Sequence, residues 1–536
     1  MKKLTRREIL QSLAGLSVLG TVAPGLRAVA GTVAPGSAGN PSISGNHDGH
    51  VSAALAGDPT TISAAPNVAL GTIQLSGAVG PTTVASGTVA MIVGDIDLRG
   101  DLIVEGLLTS VDTFTLRGNG FQIEVRNGGQ LDLRGVPKSG WVRGTAASGW
   151  RAGDSILTAP VGQGRYAPYD FHTGTPGVVK MADGRSISAE RFNLTRSITI
   201  DNVSRIMFHM GAGRQVLKHL SVRNSGVTGK LAFYPIHFHL NGNTTRGSIV
   251  EGVVVENGRF HAFVPHASHG ITFLDCIAFN VMGDAYWWDL RAAPRDTSND
   301  SNDIVWQHCL AAFVHAEKGS NDSRLTGFFL GNGTGNRCLD CTAVAIQGGQ
   351  SSSGFHWPEK AESVWEFKSC VAHNIAADGI FVWQNNGHVH RIQDFIGYSC
   401  GKAGIENGAY ANNFQYVRVS LTDTTEGVIS HALTRSGSDA GGQLLFQDVV
   451  SNSGLFIGKH RVPSKRSVIY RSCRFSKVVV KEQVADGGEP GTHELFDCQL
   501  EPSDIEITAI HPASIIRISE QGRLRWEWIR GAWSQI

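Results

Sequence analysis

Two histidines separated by a single residue, His237 and His239, alternate with the apolar residues Ile236, Phe238 and Leu240. Successive side chains of a β-strand point to opposite faces. The apolar residues are therefore predicted to enter a core, and both histidines to share the outer face. Imidazole can transfer a proton near neutral pH or bind a metal ion. The pair indicates a chemical site with three open interpretations: catalysis or substrate contact, metal binding with a third partner, and structural hydrogen bonding.

A third histidine, His261, is predicted to lie beside this pair in the next turn of the chain. The same alternation places Phe260, Ala262 and Val264 inward and His261 outward, while His266 follows on the adjoining turn. Imidazole and carboxylate groups together can act as acid and base. The predicted reaction centre comprises His237, His239 and His261 with Asp284 or Asp289.

Aromatic and polar residues of the later turns are predicted to hold the substrate. Exposed aromatic rings stack on the apolar faces of sugars, and a row of rings suits an extended polymer better than a small molecule. For Trp383, burial in the core is an equal alternative, because a slip of one residue reverses the face of a strand. The predicted substrate-binding residues are Tyr286, Trp288, His356, Trp383 and Glu406.

A repeat of short strands predicts the elements that position these residues. A glycine opens an apolar or aromatic strand at intervals of 23 to 27 residues, apart from one interval of 71, which is interpreted as three coils of nearly 24. A period of this length with several short strands and no helical pattern is typical of a parallel β-solenoid. The sequence predicts an all-β, right-handed parallel β-helix, and the repeated glycines are Gly258, Gly283, Gly354, Gly379, Gly404, Gly427 and Gly454.

Most of the eight cysteines fall at one place in the repeat, directly after a strand. We expect them to stack as a ladder of small buried groups. Cys338 and Cys341 form a Cys-x-x-Cys pair, but no second pair or histidine cluster at ligand spacing accompanies it, so a structural role is favoured over zinc or redox chemistry.

The composition excludes two classes of partner. Lys+Arg is 47 and Asp+Glu is 46, and no basic stripe is visible, so nucleic acid and anionic membrane surfaces are not expected as partners. Apolar residues make up 41% of the chain, which is sufficient for a large core, and glycine reaches 65 of 536 residues, as expected where turns are frequent.

The first 60 residues are predicted to lie outside the fold. Arg6 and Arg7 belong to a twin-arginine pattern, which an apolar stretch and an Ala-x-Ala type cleavage site follow, so residues 1–30 are a predicted signal peptide. Residues 31–60, rich in Gly, Ala, Ser and Pro, are a predicted flexible linker. The protein is expected to use the twin-arginine translocase, to keep no membrane span after cleavage, and to act in the periplasm or outside the cell.

Residues 188–200, 226–240 and 266–289 resemble the β-helix core of the G8-domain hyaluronidase-like proteins. These are the cell-migration-inducing and hyaluronan-binding protein, its transmembrane relative and the fibrocystin-like proteins. The resemblance implies a right-handed β-helix that hydrolyses hyaluronan or a similar glycosaminoglycan. It also implies site roles for His237, His239, His266 and Asp289 in a bacterial exported member.

The predicted domain order is a Gly-rich G8-like β region at 61–180, the parallel β-helix at 181–500 and a C-terminal cap at 501–536. The predicted function is degradation of hyaluronan or another acidic polysaccharide, by hydrolysis. Two alternatives stay open: a lyase or epimerase acting on uronic-acid polymers, and a non-catalytic carbohydrate-binding or adhesive solenoid. No cofactor is required by the sequence, and a divalent metal, calcium or zinc, is an open alternative.

Overall fold

The computed structural model describes residues 60–62, 72–145, 147–288, 300–316, 324–348, 352–357, 364–382, 389–407, 413–431, 444–458, 467–482 and 491–536. The described residues form β-strands, turns and two short 3-10 helices, Pro168–Asp170 and Pro502–Asp504, with no α-helix among them. None of the helices in this part of the chain has the length and hydropathy of a membrane span. The predicted signal peptide and nearly all of the predicted linker lie outside the described residues.

The strands stack in three parallel faces, which we call sheets 1, 2 and 3. Sheet 1 contains Thr60–Ile62, Thr82–Val84, Leu102–Val104, Ile123–Val125, Ile206–Phe208, Ile236–Gly242, Phe263–Ser268, Thr326–Phe329, Ser353–Trp357, Asp378–Val382, Ala403–Asn407, Glu426–His431, Leu455–Gly458, Val478–Lys481 and Ile505–Ala509. Isolated bridges at Tyr286 join its earlier and later strands.

Sheets 2 and 3 meet at a corner where several long strands pass from one to the other. Sheet 2 contains Thr72–Val79, Val89–Leu98, Leu107–Ser110, Gln130–Arg134, Val216–Lys218, Ser248–Glu251, Ile271–Leu274, Val305–Gln307, Asn336–Leu339, Trp365–Lys368, His390–Gln393, Phe414–Thr422, Leu444–Ser451, Ser467–Arg471, Thr492–Phe496 and Ile515–Glu520. Sheet 3 contains Phe114–Arg117, Ile198–Asp201, Leu220–Arg223, Val254–Glu256, Ile277–Met282, Leu310–His315, Thr342–Ile346, Val371–His373 and Ile396–Tyr398. The prediction of an all-β parallel β-helix is confirmed.

The corner between sheets 2 and 3 explains the cysteine pattern. One residue with positive φ, such as Asp275, Asp340 or Ser369, turns the chain between the two strands. The next residue then points into the core, where a small apolar group fits between stacked coils. All eight cysteines are buried and free, which agrees with the predicted structural role, and four of them follow such a corner in consecutive coils: Cys276, Cys309, Cys341 and Cys370.

The repeated glycines of sheet 1 form a ladder. A Cβ atom on Gly354 would lie 2.8 Å from the carbonyl oxygen of Gly379, and one on Gly379 would lie 2.6 Å from that of Gly404. Only glycine allows neighbouring coils to approach so closely at this point. The interpretation of the interval from Gly283 to Gly354 as three coils is wrong. Two coils span it, because Tyr286 bridges to Phe328 and Phe328 pairs with Phe355, so a single coil, that of Gly327, lies between them.

The β-helix begins before residue 181, in contrast to the predicted boundary. Ile123–Val125 pairs directly with Ile206–Phe208, and Phe114–Arg117 pairs with Ile198–Asp201. The residues between Gln130–Arg134 of sheet 2 and Ile198–Asp201 of sheet 3 form an insertion. Its antiparallel strands are Trp141–Arg143, Ile156–Thr158, Val178–Lys180, Ser186–Ser188 and Glu190–Asn193.

The insertion packs on the outer side of sheet 3. Its Trp141, Phe171 and Phe192 form one apolar cluster with Phe279 and Phe313 of that sheet. Aromatic rings bury large apolar areas, so this contact stabilises the docked insertion.

A buried ion pair adds to this docking. Glu190 accepts hydrogen bonds from Arg143 at 3.0 Å and from His373 at 2.8 Å. Burial raises the pKa of Glu190, but His373 and Arg143 outweigh it and hold that pKa at about 2.

The C-terminal residues close the end of the helix. Ile515–Glu520 is the last parallel strand, and Arg523–Ile529 and Ala532–Gln535 follow it as an antiparallel meander. Trp526, Trp528 and Trp533 pack against the core from this end. The segment predicted as the cap therefore contains a final coil followed by a capping meander.

Candidate functional site

Two neighbouring strands of sheet 1 bring three histidines together. Ile236–Gly242 and Phe263–Ser268 are parallel, and their register pairs His239 with His266 and His237 with Val264. His237 and His239 share a face because they are two residues apart in a strand. The pairing adds His266 to that face, and we call these three residues the three-histidine cluster.

The three imidazole rings converge closely. Each offers a ring nitrogen, and these nitrogens all lie within 4.8 Å of one another. The Nδ1 atoms of His239 and His266 are 3.1 Å apart. The ring centroids are separated by 4.8 Å for His237 and His239 and by 4.9 Å for His239 and His266. Among the described residues, this is the one group of three or more metal-ligating side chains with such spacing.

The cluster is covered rather than open to solvent. His237 is 0% exposed, His239 9% and His266 7%, so the histidines lie on the outer face of the strands as predicted, but other residues cover this face. The ring of Tyr234 lies 4.7 Å from that of His237 and helps to cover it. Burial, together with the neighbouring His239 and His266, holds the pKa of His237 well below its usual range. The imidazole of His237 is therefore neutral at physiological pH and can accept a proton or a metal ion.

A β-bulge follows the cluster. Ile236 and Phe238 enter the core as predicted, but Leu240 is 54% exposed and has a φ of 54°. The register shifts between His239 and Gly242. A bulge inserts an extra residue and re-aims the side chains beside it, so alternation ends one residue earlier than the sequence indicated.

His261 does not belong to the cluster. The strand begins at Phe263, so Phe263 rather than Val264 stacks on Ile236 in the core. The ring of His261 stacks on Trp287 at 3.9 Å, and its Nδ1 accepts the backbone N–H of Asp284 at 2.9 Å. Burial lowers the pKa of His261 to about 3. His261 and His237 lie on two sides of Tyr234, whose ring contacts both.

Asp284 accepts a hydrogen bond from the backbone of the next coil. Its Oδ1 accepts the N–H of Thr326 at 2.6 Å, and its Oδ2 lies 3.6 Å from Nδ1 of His261. The carboxylate therefore fixes the position of a strand of sheet 1. The other predicted carboxylate, Asp289, lies outside the described residues.

Tyr286 and Trp288 are core residues, in contrast to the predicted sugar-binding role. Both are 0% exposed. Tyr286 stacks between Phe263 and Phe328 with centroid distances of 4.9 and 4.4 Å. Trp288 packs edge-on to Trp306. A bridge at Tyr286 continues the row of inward-pointing residues of sheet 1, so the prediction placed these rings on the wrong face. Trp383 lies outside the described residues.

His356 and Glu406 lie farther along the same outer row. The register runs from His356 through Phe381 to Glu406. His356 is three coils beyond the strand of His266, which corresponds to about 14 Å at the usual strand spacing. Burial and Arg324 lower the pKa of His356 to about 3. The structure therefore does not bring these residues together with the three-histidine cluster.

The buried acid Asp378 was not among the site residues predicted from the sequence. It stands directly before the repeated Gly379, and its Oδ2 lies 3.5 Å from Nζ of Lys402, which also forms an ion pair with Glu406. Burial raises the pKa of Asp378 to about 7, against the opposing effect of Lys402. The sequence repeat does mark Asp378 as an exception: the residues that pair with it in the neighbouring coils are Ser353 and Ala403, and neither is an acid.

One family model matches the region around the cluster. The CEMIP beta-helix family model matches residues 202–327, which include all three histidines. A G8 domain-containing protein of Dictyostelium discoideum is 27% identical over 165 residues, and the alignment covers 30% of this chain and 11% of that protein.

Two solved structures are also similar. The tailspike protein gp49 from Pseudomonas phage LKA1 has 11% identity and a TM-score of 0.28, with 82% of this chain and 75% of that chain covered. The Agl-KA catalytic domain has 10% identity and a TM-score of 0.23, with 76% and 62% covered. The family model and the Dictyostelium protein therefore confirm the predicted resemblance to the G8-domain and CEMIP-type β-helix proteins, and residues 202–327 are the part of this chain that the family model matches.

Proposed function

We propose that this protein is an exported enzyme that cleaves an acidic polysaccharide, hyaluronan or a similar polymer, by hydrolysis at the three-histidine cluster. The observation that carries the proposal is the convergence of His237, His239 and His266 within the segment that matches the CEMIP β-helix. A structural role would not require three imidazoles with their nitrogens directed at one another, because a buried polar group is stabilised by a single good partner.

The shape of sheet 1 supports a polymeric substrate. Its strands lie side by side along the helix at intervals of about 4.8 Å. The outer row carries polar and aromatic side chains for several coils beyond the cluster, including His356, Phe381 and Glu406. His356, Phe381 and Glu406 are themselves only 4%, 3% and 9% exposed, so an extended chain would lie along this face without an open platform of these side chains.

The chemistry of the cluster supports cleavage. Breaking a glycosidic bond requires a group that accepts a proton and a group that donates one. His237 is neutral and buried, while Asp284 is engaged with the backbone of Thr326. The proposed reaction therefore depends on imidazole groups more than on the pair of carboxylates that many glycosidases use.

Polymer size after incubation tests the proposal. Hyaluronan, chondroitin, heparosan and alginate are incubated with the mature protein and analysed by size-exclusion chromatography. We expect one polymer to shorten, and the His237→Ala/His239→Ala variant to leave it intact. His172→Ala, which removes an exposed histidine of the insertion, is the matched control and should retain activity.

Two outcomes would change the proposal. Products with ultraviolet-absorbing unsaturated ends would identify a lyase instead of a hydrolase. If every polymer keeps its size, the enzymatic function is wrong for these substrates, and a binding measurement with the same polymers decides whether the protein is a carbohydrate-binding solenoid. Export is tested separately by cell fractionation of the wild type and an Arg6→Lys/Arg7→Lys variant.

A further inference from the structure

We propose that His237, His239 and His266 bind one divalent transition-metal ion of the zinc class, with a fourth coordination position open to water or to a sugar oxygen. Any catalytic role of this ion rests on the proposed function. Binding itself does not, because it is measured without a polymer.

The separation of the ring nitrogens agrees with coordination to a single ion. Two nitrogens that each lie about 2.0–2.1 Å from a tetrahedral zinc ion are roughly 3.3 Å apart. The Nδ1 atoms of His239 and His266 are already 3.1 Å apart. The third ring nitrogen lies within 4.8 Å of the others, so a small movement of the His237 side chain would complete the set.

The hydrogen bonding of His237 leaves the required atom available. Its Nδ1 faces the carbonyl oxygen of Ala232 at 3.4 Å, a long contact. A proton on Nδ1 would be donated to that carbonyl, and the lone pair would then reside on Nε2. This Nε2 atom is buried and has no hydrogen-bond partner in the described part of the chain. A backbone carbonyl that accepts the proton of the other ring nitrogen, and so fixes the tautomer of a histidine ligand, is a regular feature of metal sites.

The ligand set favours one class of metal. Imidazole nitrogen suits zinc, copper, nickel and iron, whereas calcium and magnesium prefer oxygen. All three ligands offered here are nitrogens, and the buried cysteines have a separate structural role at the corner between sheets 2 and 3. Of the two metals that the sequence left open, zinc is therefore favoured over calcium.

The described residues supply three ligands to the cluster, and this number predicts an open site. Structural zinc sites usually have four protein ligands, whereas three histidines with one free position are found where zinc acts on a bound water or substrate. His239 and His266 keep a small exposed fraction, and His237 keeps none. The open position is therefore expected on the side of His239 and His266.

Metal content and cobalt spectroscopy test this inference. The purified protein is stripped with a chelator, incubated with zinc, dialysed and analysed by elemental mass spectrometry. We expect one zinc per chain in the wild type and in His172→Ala, and a loss of at least tenfold in affinity in His239→Ala and His266→Ala. Calcium at the same concentration should not bind at these residues.

A second measurement covers the case in which a variant fails to fold. Cobalt(II) added to the wild type should give the strong visible absorption of a four-coordinate nitrogen site. A weak, octahedral spectrum would overturn the proposal, as would wild-type protein without zinc or full zinc content in folded His239→Ala. Zinc binding without polymer cleavage would refute the proposed function alone, whereas cleavage by the metal-free protein would refute a catalytic metal.

Discussion

Burial determines the protonation states of His261, beside sheet 1, and of His356, on its outer row. His261 and His356 each have a pKa of about 3, because their rings are enclosed. Both are neutral at the pH at which most proteins act, so they contribute ring contacts, such as the stacking of His261 on Trp287 at 3.9 Å. The three-histidine cluster differs because its ring nitrogens face one another.

The histidines of the cluster could be identified from residue types and spacing, but their neighbours could not. His237 and His239 lie within one strand, where alternation is reliable. His261 and Tyr286 lie near strand ends, and the strand that follows His261 begins only at Phe263. A shift of one residue reverses the face, so the sequence predicted a sugar platform where Tyr286 is in fact part of the core.

Asp378 should make stability depend on pH near neutrality. Burial raises its pKa from 3.8 to about 7, so the folded protein holds a proton there that the unfolded chain loses near pH 4. The stabilisation is complete below pH 4 and disappears as the pH rises through about 7. A shift of this size corresponds to roughly 4 kcal/mol across that interval. Asp378→Asn, which carries no charge, should remove this dependence.

Thermal unfolding of the wild type and Asp378→Asn between pH 4 and pH 8 measures the difference. The two proteins should be similar at pH 4, and the variant should be more stable at pH 8. Asp423→Asn, at an exposed position, is the matched control and should follow the wild type. Parallel curves for the wild type and Asp378→Asn would mean that Lys402 keeps Asp378 ionised throughout.

The coils of sheet 1 are held at their spacing by the glycine ladder. Gly379→Ala should destabilise the protein by about 1–3 kcal/mol, a typical cost of overpacking. The reason is that its Cβ would lie 2.6 Å from the carbonyl oxygen of Gly404, which is backbone and cannot turn away. Chemical denaturation gives the change in the free energy of unfolding.

Gly80→Ala is the matched control for Gly379→Ala in the same denaturation measurement. Nothing lies within 4 Å of the position of its Cβ, and its φ is not positive. Its effect should stay within about 0.5 kcal/mol, or stabilise slightly by restricting the unfolded chain. Equal effects at Gly80 and Gly379 would show that the ladder does not depend on close backbone approach.

The repeat of the elements could be predicted, but insertions within it could not. Glycine recurs in sheet 1 and cysteine recurs after the corner between sheets 2 and 3, because each coil needs a small group at each of these two places. The interval of 71 residues between Gly283 and Gly354 is close to three times the usual period, so the sequence did not show that two coils span it. The pairing of Tyr286 with Phe328 and of Phe328 with Phe355 establishes that number.

Across the whole molecule, strands far apart in sequence complete one helix. Ile123–Val125 pairs with Ile206–Phe208, although the insertion lies between them. Patterns in the sequence relate residues that are close along the chain, so the predicted start of the β-helix, residue 181, lies after most of the insertion. Strands of residues 72–134 and strands from residue 198 onward pair in common sheets, and no local sequence pattern predicts this long-range pairing.

The meander at the end of the helix should protect an edge. Ile515–Glu520 is the last parallel strand, and Arg523–Ile529 covers its free side by antiparallel pairing. An uncovered strand edge presents unpaired N–H and C=O groups to other molecules. The tryptophans Trp526 and Trp528 also cover the core from this end.

Deletion of residues 521–536 should therefore cause association of the protein through its exposed end, and the terminal repeats of solenoids generally need such covering for solubility. Light scattering coupled to size-exclusion chromatography should show a mass that grows with protein concentration in the deletion variant but not in the full chain. Trp533→Phe keeps the meander and should behave as the wild type. If the deletion variant keeps the mass and the thermal stability of the full chain, then the edge of Ile515–Glu520 is already protected by its own twist and side chains.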